Sequence, residues 1–118
     1  MAIAINLGFP RIGPKRELKK AVEAYWAGKS SSDDLLNSAR EIRRGNWKIQ
    51  HDAGIAEVPA GDFSLYDHVL DTAFAFDLIP QRFRELSLDS DLDLYFAMAR
   101  GLAGGRETQA LEMTKWFD

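Results

Sequence analysis

The side chains best suited to bind a ligand are basic and lie near the N-terminus. Arg16 and Lys19 are three residues apart, so they share one face of a predicted helix. They fall in its first turn, where free backbone N–H groups and the helix dipole favour anions. Cations there cost a helix about 0.3–1 kcal/mol each, and a bound anion would explain that cost. The pair therefore predicts a site for an anionic ligand, and a solvated basic helix face is the alternative.

The charge of the chain is distributed unevenly. The 118 residues carry a net charge of -3, yet residues 1–29 contain six basic and two acidic side chains. That segment is therefore +4 and the remainder is -7. A basic segment on an acidic body favours a local anion site, and no motif indicates a nucleic-acid partner. The basic residues are Arg11, Lys15, Arg16, Lys19, Lys20 and Lys29.

Several kinds of site and location are excluded by composition. The chain has no cysteine, which rules out disulfides, thiolate zinc sites and a cysteine nucleophile. With only His51 and His68, an all-histidine metal site is not expected. The N-terminal residues have no basic region and too short an apolar run for a signal peptide. Because no segment approaches the ~20 apolar residues of a membrane span, we expect a cytoplasmic chain without a membrane partner.

The basic pair is expected to follow a strand and a turn-rich connection. Ala2–Leu7 is short and apolar and is bounded by Gly8 and Pro10, which indicates a buried strand. A helix should come next and end at Gly28. Its apolar residues recur on one face, at Leu18, Val22, Tyr25 and Trp26.

A longer second helix and a second strand are predicted after it. Serines at 30–32, followed by two aspartates, are typical of a helix start, and Gly54 is the expected end. Ile55–Asp62 then resembles a strand, with Pro59 near its end or at an irregularity. The apolar stripe predicted for the second helix consists of Leu35, Ala39, Ile42, Ile49 and Ala53.

Two further helices are predicted in the second half of the chain. A third helix should contain Tyr66–Phe74, with Asp62 or Ser64 as its N-cap. For Asp62, which follows a strand, this capping role is preferred over a place in an active site. A fourth helix should contain Leu92–Leu102, capped by Asp89 or Ser90 and ended by Gly104–Gly105. Its apolar residues are Leu92, Tyr95, Phe96, Ala99 and Leu102.

The order of these elements predicts a helix-rich α/β architecture. Two strands do not make a stable parallel sheet, so we expect a piece of a larger fold or a protein that needs partners. The apolar segment Ala110–Asp118 stops without a capping signal, which favours a chain that ends within an element.

Three segments resemble, in order, the start of the cobalamin-independent methionine synthase family. They are LGFPRIGPKRELKKAVEAYWAG at 7–28, AGIAEVPAGDFSLYDHVLD at 53–71 and ALEMTKWFD at 110–118. The resemblance implies that residues 1–118 form an incomplete (β/α)8 TIM barrel, with the first strands and helices of the N-terminal barrel. The C-terminal barrel, which carries the zinc and homocysteine sites in this family, is not represented.

The resemblance also implies a reaction. Family members transfer a methyl group from 5-methyltetrahydropteroyltri-L-glutamate to L-homocysteine, using zinc and no cobalamin, and form methionine. No catalytic residue and no metal ligand is implied within these 118 residues, so the chain alone should be inactive.

The implied contribution of this chain is to bind the folate polyglutamate. The family's RELK motif matches Arg16, Glu17, Leu18 and Lys19, and Lys115 in MTKWF matches a further folate-contacting lysine. Within the motif we expect Leu18 to be a core residue and Glu17 to pair with a neighbouring base. His68 is expected to be structural or exposed.

Two other interpretations stay open at this point. The chain could be a small non-enzymatic α/β module that binds a partner or a copy of itself. It could also belong to another family of the wider barrel superfamily, such as the methylcobalamin-linked methyltransferases. An uncovered sheet edge and apolar helix faces predict poor solubility or self-association for the isolated chain.

Overall fold

A computed structural model describes residues 1–102 and 109–111 of the chain. These residues are rich in helix, as predicted, and form two compact units, one of Met1–Leu65 and one of the described residues from Tyr66 onward. None of the described helices is both long and apolar enough to cross a membrane. The helices in the described residues are α1 (Glu17–Trp26), α2 (Ser32–Asp52), α3 (His68–Ala75), α4 (Gln81–Arg84) and α5 (Asp91–Arg100).

Helices α1 and α2 pack against each other in the first unit. The core between them includes Leu18 and Val22 of α1 and Leu35 and Ala39 of α2, all buried. Burial of these side chains is the main favourable contribution to the pairing, at roughly 1.5–3 kcal/mol for each large one. The predicted apolar stripes of both helices are therefore confirmed at these positions.

The start of α2 and the C-terminal ends of α1 and α2 lie where the sequence predicted them. Ser31 caps α2, because its hydroxyl accepts the Asp34 N–H at 3.1 Å and the Asp34 carboxylate accepts the Ser31 N–H at 3.0 Å. Both helices end at a glycine with positive φ, Gly28 at 67° and Gly54 at 83°. The amide after Gly28, that of Lys29, bonds back into α1 in the pattern of a Schellman motif.

The inner face of α2 differs from the prediction in its second half. Ile49 was expected in the apolar stripe but is 54% exposed, so that prediction is wrong. The buried positions there are Asn46 and Gln50, which continue the helical spacing from Leu35 and Ala39. Their amides can be buried because they are hydrogen-bonded, for example from Gln50 Nε2 to the Asn46 carbonyl at 3.0 Å.

The two predicted strands are present only as a single parallel bridge between Ile5 and Glu57. The Ala56 N–H donates to the Ala4 carbonyl at 2.9 Å, and no longer strand forms within the part of the chain that the structure describes. Two isolated segments have few ladder bonds to share, and Pro59 has no N–H to add one. The structure therefore confirms helix-rich character and leaves the partial barrel unconfirmed. Ile3, Ile5 and Leu7 are exposed, so the prediction that Ala2–Leu7 is a buried strand is wrong in this structure.

The second unit is built around α5. Its core includes Leu70 of α3, Phe83 of α4, and Phe96 and Met98 of α5. The sequence did not predict α4, because four residues are too few to show helical periodicity. Pro80, expected only to follow the third helix, is the N-cap residue of α4.

The start of α3 corrects a second prediction. The helix begins at His68 and is capped by Asp67, whose carboxylate accepts the N–H groups of Val69 and Leu70. Neither Asp62 nor Ser64 caps it, because the chain turns into the helix only after them. The nearest aspartate, not the one after the predicted strand, satisfies the free amides of the first turn.

The start of α5 agrees with the prediction, whereas its end does not. Ser90 caps the helix by accepting the Asp93 N–H at 3.1 Å. The helix ends at Arg100, where Gly101 has a φ of 76°, and not at Gly104–Gly105. Those two glycines lie outside the described residues, as do most residues of the last predicted segment.

Candidate anion-binding site

The predicted basic pair lies at the N-terminal end of α1. Lys19 is in the first turn, as expected, but Arg16 is the residue before the helix. Its backbone is left-handed, with φ 61° and ψ 37°, a conformation that costs a non-glycine residue about 1–2 kcal/mol. Arg16 and Lys19 are both exposed, so the structure presents two cations to solvent at this end of the helix.

The turn before α1 is closed by Glu17. Its carboxylate accepts the Lys15 N–H at 2.9 Å and lies against Gly13, where an added Cβ would clash with it. Gly13 also has a φ of 84°, which favours glycine. Hydrogen bonds from the N–H groups of Glu17 and Lys15 hold the pKa of the Glu17 carboxyl below its ordinary value, and the charges of Lys20 and Lys15 add to this. Backbone amides are thus its main partners, more than the neighbouring base that we expected.

The other two residues of the RELK motif divide between core and surface. Leu18 is 1% exposed, which confirms it as a core residue. The Lys19 ammonium lies 3.2 Å from the Glu23 carboxylate, and both side chains are about half exposed. A surface pair of this kind contributes about 0.3–0.5 kcal/mol, too little to hold Lys19 away from a ligand.

The loop that leads to Arg16 is held by side chains that the sequence analysis did not assign to it. The Phe9 N–H donates to Asp62 Oδ2 at 2.8 Å. Asn46 Nδ2 donates to the Pro10 carbonyl at 3.2 Å. The sequence contains only weak indications of these two contacts. Asn46 lies on the helical spacing of the core face, and Asp62 follows an apolar segment.

A third bond joins the same loop to residues 62–64. Arg11 Nη1 donates to the Ser64 carbonyl at 3.0 Å, and Ser64 itself is 1% exposed. The Arg11 side chain therefore contributes to structure in the first unit, in contrast to the solvent-facing Arg16.

Comparison with known protein families shows to which family the chain belongs. Residues 3–118 match the family model described as the cobalamin-independent synthase, N-terminal domain. The chain belongs to this family. The resemblance inferred from its three segments is confirmed, and the alternative of another barrel family is set aside.

Relatives in the synthase family are similar along the whole chain. A protein of Xylella fastidiosa (strain M23) is 57% identical over 119 aligned positions, which cover 100% of this chain and 16% of the relative. One of Flavobacterium johnsoniae is 58% identical over 115 positions, covering 96% of this chain and 15% of the relative. Both relatives are named 5-methyltetrahydropteroyltriglutamate–homocysteine methyltransferase. The chain therefore spans about one sixth of the length of the curated synthases that it matches.

The zinc that the synthase resemblance implies does not fit the residues present. The chain has no cysteine, and its described residues contain no group of three or more histidine, aspartate or glutamate side chains placed to bind a metal ion. His68 is exposed at the start of α3, as expected. No metal chemistry is accordingly assigned to these residues.

Lys115, the remaining predicted folate-binding residue, lies outside the described residues. In the second unit, Arg82 Nη2 donates to the Ala110 carbonyl at 3.2 Å beside a cavity of about 470 Å³. None of the four RELK residues lines this cavity. Its lining consists of Pro80, Arg82, Gln109, Ala110 and Leu111.

Proposed function

We propose that this chain is part of a methyltransferase that moves a methyl group from 5-methyltetrahydropteroyltriglutamate to L-homocysteine to form methionine. The shared name of its relatives supports this reaction. Because the chain spans about 16% of the Xylella relative, the reaction is proposed for the longer enzyme and not for these residues alone. The isolated chain is expected to be inactive.

In this proposal, Arg16 and Lys19 bind the polyglutamate tail of the folate, and Lys115 contributes a third cation. The observation that carries the proposal is the pair of exposed cations at the N-terminal end of α1. A guanidinium and an ammonium suit a polycarboxylate, because charge-assisted hydrogen bonds are about twice as strong as neutral ones. Binding the tail far from the transferred methyl group would help to orient the folate for reaction.

Glu17 and Leu18 support this site without contacting the tail. Leu18 buries its side chain in the core and so fixes the rotation of α1 about its axis. Glu17 closes the turn through the Lys15 N–H. As a carboxylate it would repel an anionic tail, so we assign it a structural role within the motif.

We further propose that the paired segments around Ile5 and Glu57 are the first two strands of a (β/α)8 barrel. Their parallel pairing supports this, since parallel strands need a helical connection such as α1 and α2. The exposed apolar side chains of Ile3, Ile5 and Leu7 suit a strand that packs inside a barrel. Zinc and homocysteine belong, in this proposal, to the part of the enzyme that the chain does not include, and cobalamin has no role.

Titration of the chain with pteroyltri-γ-glutamate tests the anion site. We expect binding that weakens as salt is added, and at least a tenfold higher Kd for the Arg16→Ala/Lys19→Ala variant. The matched control is Arg40→Ala/Arg44→Ala, which removes two exposed cations from α2 and should bind like the wild type. Equal affinity of the wild type and the Arg16/Lys19 variant would show that this pair does not bind the tail.

A self-associating module remains a second candidate, because Ile3, Ile5 and Leu7 are 59%, 57% and 93% exposed. Sedimentation velocity of the chain separates the two functions. A discrete oligomer without affinity for pteroyltri-γ-glutamate favours the module, whereas salt-sensitive binding of the folate favours the anion site.

A further inference from the structure

The loop that precedes α1 is attached at two consecutive residues to distant parts of the first unit. Phe9 is bound through its N–H by the Asp62 carboxylate at 2.8 Å, 53 residues away in sequence. Pro10 is bound through its carbonyl by the Asn46 amide at 3.2 Å, 36 residues away. Asn46 is 9% exposed, so its bond is largely shielded from water. These two bonds, together with the Arg11–Ser64 bond, connect the loop to Asn46 and to residues 62–64.

Backbone hydrogen bonds also join the residues between these attachments and Arg16. The Arg16 N–H donates to the Gly13 carbonyl at 3.0 Å, and the Leu18 N–H donates to the Ile12 carbonyl at 3.1 Å. These bonds close a tight turn that starts two residues after Pro10. A displacement of the loop at Phe9 or Pro10 would therefore be transmitted to the backbone of Arg16.

We propose that Asp62 and Asn46 are positioning residues for the anion-binding site: they hold the loop that presents Arg16 and do not contact the ligand. This inference rests on the proposed function of Arg16 and Lys19. This role of Asp62 in favour of binding is opposite to the direct effect of its charge, since a negative group repels a polycarboxylate. The sign of its effect on binding therefore distinguishes positioning from a simple charge effect.

Two substitutions of Asp62 test this with pteroyltri-γ-glutamate as the probe. Asp62→Ala removes both the charge and the acceptor for the Phe9 N–H, and we expect the Kd to rise about three- to tenfold. Asp62→Asn removes the charge but keeps an acceptor oxygen, and should bind at least as tightly as the wild type. Asp89→Ala, at an exposed position in the second unit, is the control for the change in net charge. Tighter binding by Asp62→Ala than by the wild type would overturn the proposal.

Asn46→Ala removes the other attachment and leaves the Asn46 carbonyl, which accepts from Gln50, in place. We expect a similar rise in Kd from Asn46→Ala in the wild type and no further rise when it is added to Arg16→Ala, because its effect acts through Arg16. Fully additive effects would contradict the proposal.

Hydrogen exchange of the Arg16 amide supplies a readout that does not depend on ligand binding. It should be faster in Asp62→Ala and Asn46→Ala than in Asp89→Ala, at equal global stability. Unchanged exchange would overturn the inference about the loop. Failure of the wild type to bind the probe would overturn the proposed function instead, so the two failures are distinguishable.

Discussion

The ammonium of Lys19 lies 3.2 Å from the carboxylate of Glu23, one turn further along α1. The pair joins a predicted ligand-binding cation to an acid within the same helix. Both side chains are about half exposed, so the attraction is screened by water. Under the proposed function, Glu23 would therefore compete only weakly with an anionic ligand for Lys19.

Replacing Glu23 by glutamine should strengthen binding of pteroyltri-γ-glutamate. Without the competing carboxylate, Lys19 loses a partner worth about 0.3–0.5 kcal/mol, which corresponds to roughly a twofold lower Kd. Glu41→Gln breaks the comparable Glu41–Arg44 pair on α2 and should leave the Kd unchanged. Isothermal titration of both variants measures the difference. An equal shift in the two would point to net charge and not to Lys19.

The capping box of α2 predicts a dependence of stability on pH. Hydrogen bonds from the Ser31 N–H and hydroxyl hold the pKa of the Asp34 carboxyl below its ordinary value of about 3.9. A carboxyl with a lowered folded pKa stabilises the fold above its ordinary pKa, and this contribution is lost as pH falls through the folded pKa. Ser31→Ala should therefore be less stable than the wild type at pH 6.

That difference should shrink below about pH 4, because protonated Asp34 no longer accepts the bonds. Urea unfolding followed by circular dichroism at pH 6 and pH 3 measures it. NMR titration should show a higher Asp34 pKa in Ser31→Ala. A pH-independent difference in stability would show that the carboxylate does not take part in the cap.

Replacing Gly54 and Gly45 by alanine should change the stability of the fold in opposite directions. Gly54 has a φ of 83°, so Gly54→Ala should destabilise the fold by about 1 kcal/mol. Gly45 lies within α2 with open space around its Cα, so Gly45→Ala should stabilise it by up to about 1 kcal/mol. Thermal unfolding of the two variants gives the comparison. Destabilisation by Gly45→Ala would mean that a side chain there meets a neighbour.

The Tyr95 hydroxyl donates to the Asp71 carboxylate at 2.5 Å and accepts the Tyr66 N–H at 3.0 Å. Burial and then the Asp71 carboxylate raise the pKa of Tyr95 well above its ordinary value. Tyr95→Phe should cost about 1 kcal/mol of unfolding free energy at pH 7 through the lost hydrogen bonds.

The raised pKa of Tyr95 also predicts how the stability of the fold changes at alkaline pH. A tyrosine with a raised folded pKa stabilises the fold below its ordinary pKa of about 10, and this contribution is lost as pH rises beyond it. The stability difference between the wild type and Tyr95→Phe should therefore shrink between pH 9 and pH 11. Denaturant unfolding at both values measures this, and a constant difference would contradict the shift.

Much of α1 and α2 could be predicted because the determining interactions are local. Ser31 and Asp34 are three residues apart, and Gly28 and Gly54 end their helices by bonds that reach back three residues. The apolar residues that pack α1 against α2 recur with the period of a helix. The three segments that resemble the synthase family are likewise read directly from the chain, and so are the identities of the two exposed cations.

Other features were decided only by the tertiary structure. The polar core position of Asn46 depends on the Pro10 carbonyl, and the role of Asp62 depends on the Phe9 N–H. Each bond joins residues at least 36 positions apart, so no local pattern records it. The left-handed backbone of Arg16 follows in the same way from the folded turn, because an arginine does not favour that conformation by itself. The sequence by itself thus determined which cations are available, whereas folding determined how the loop that presents them is held.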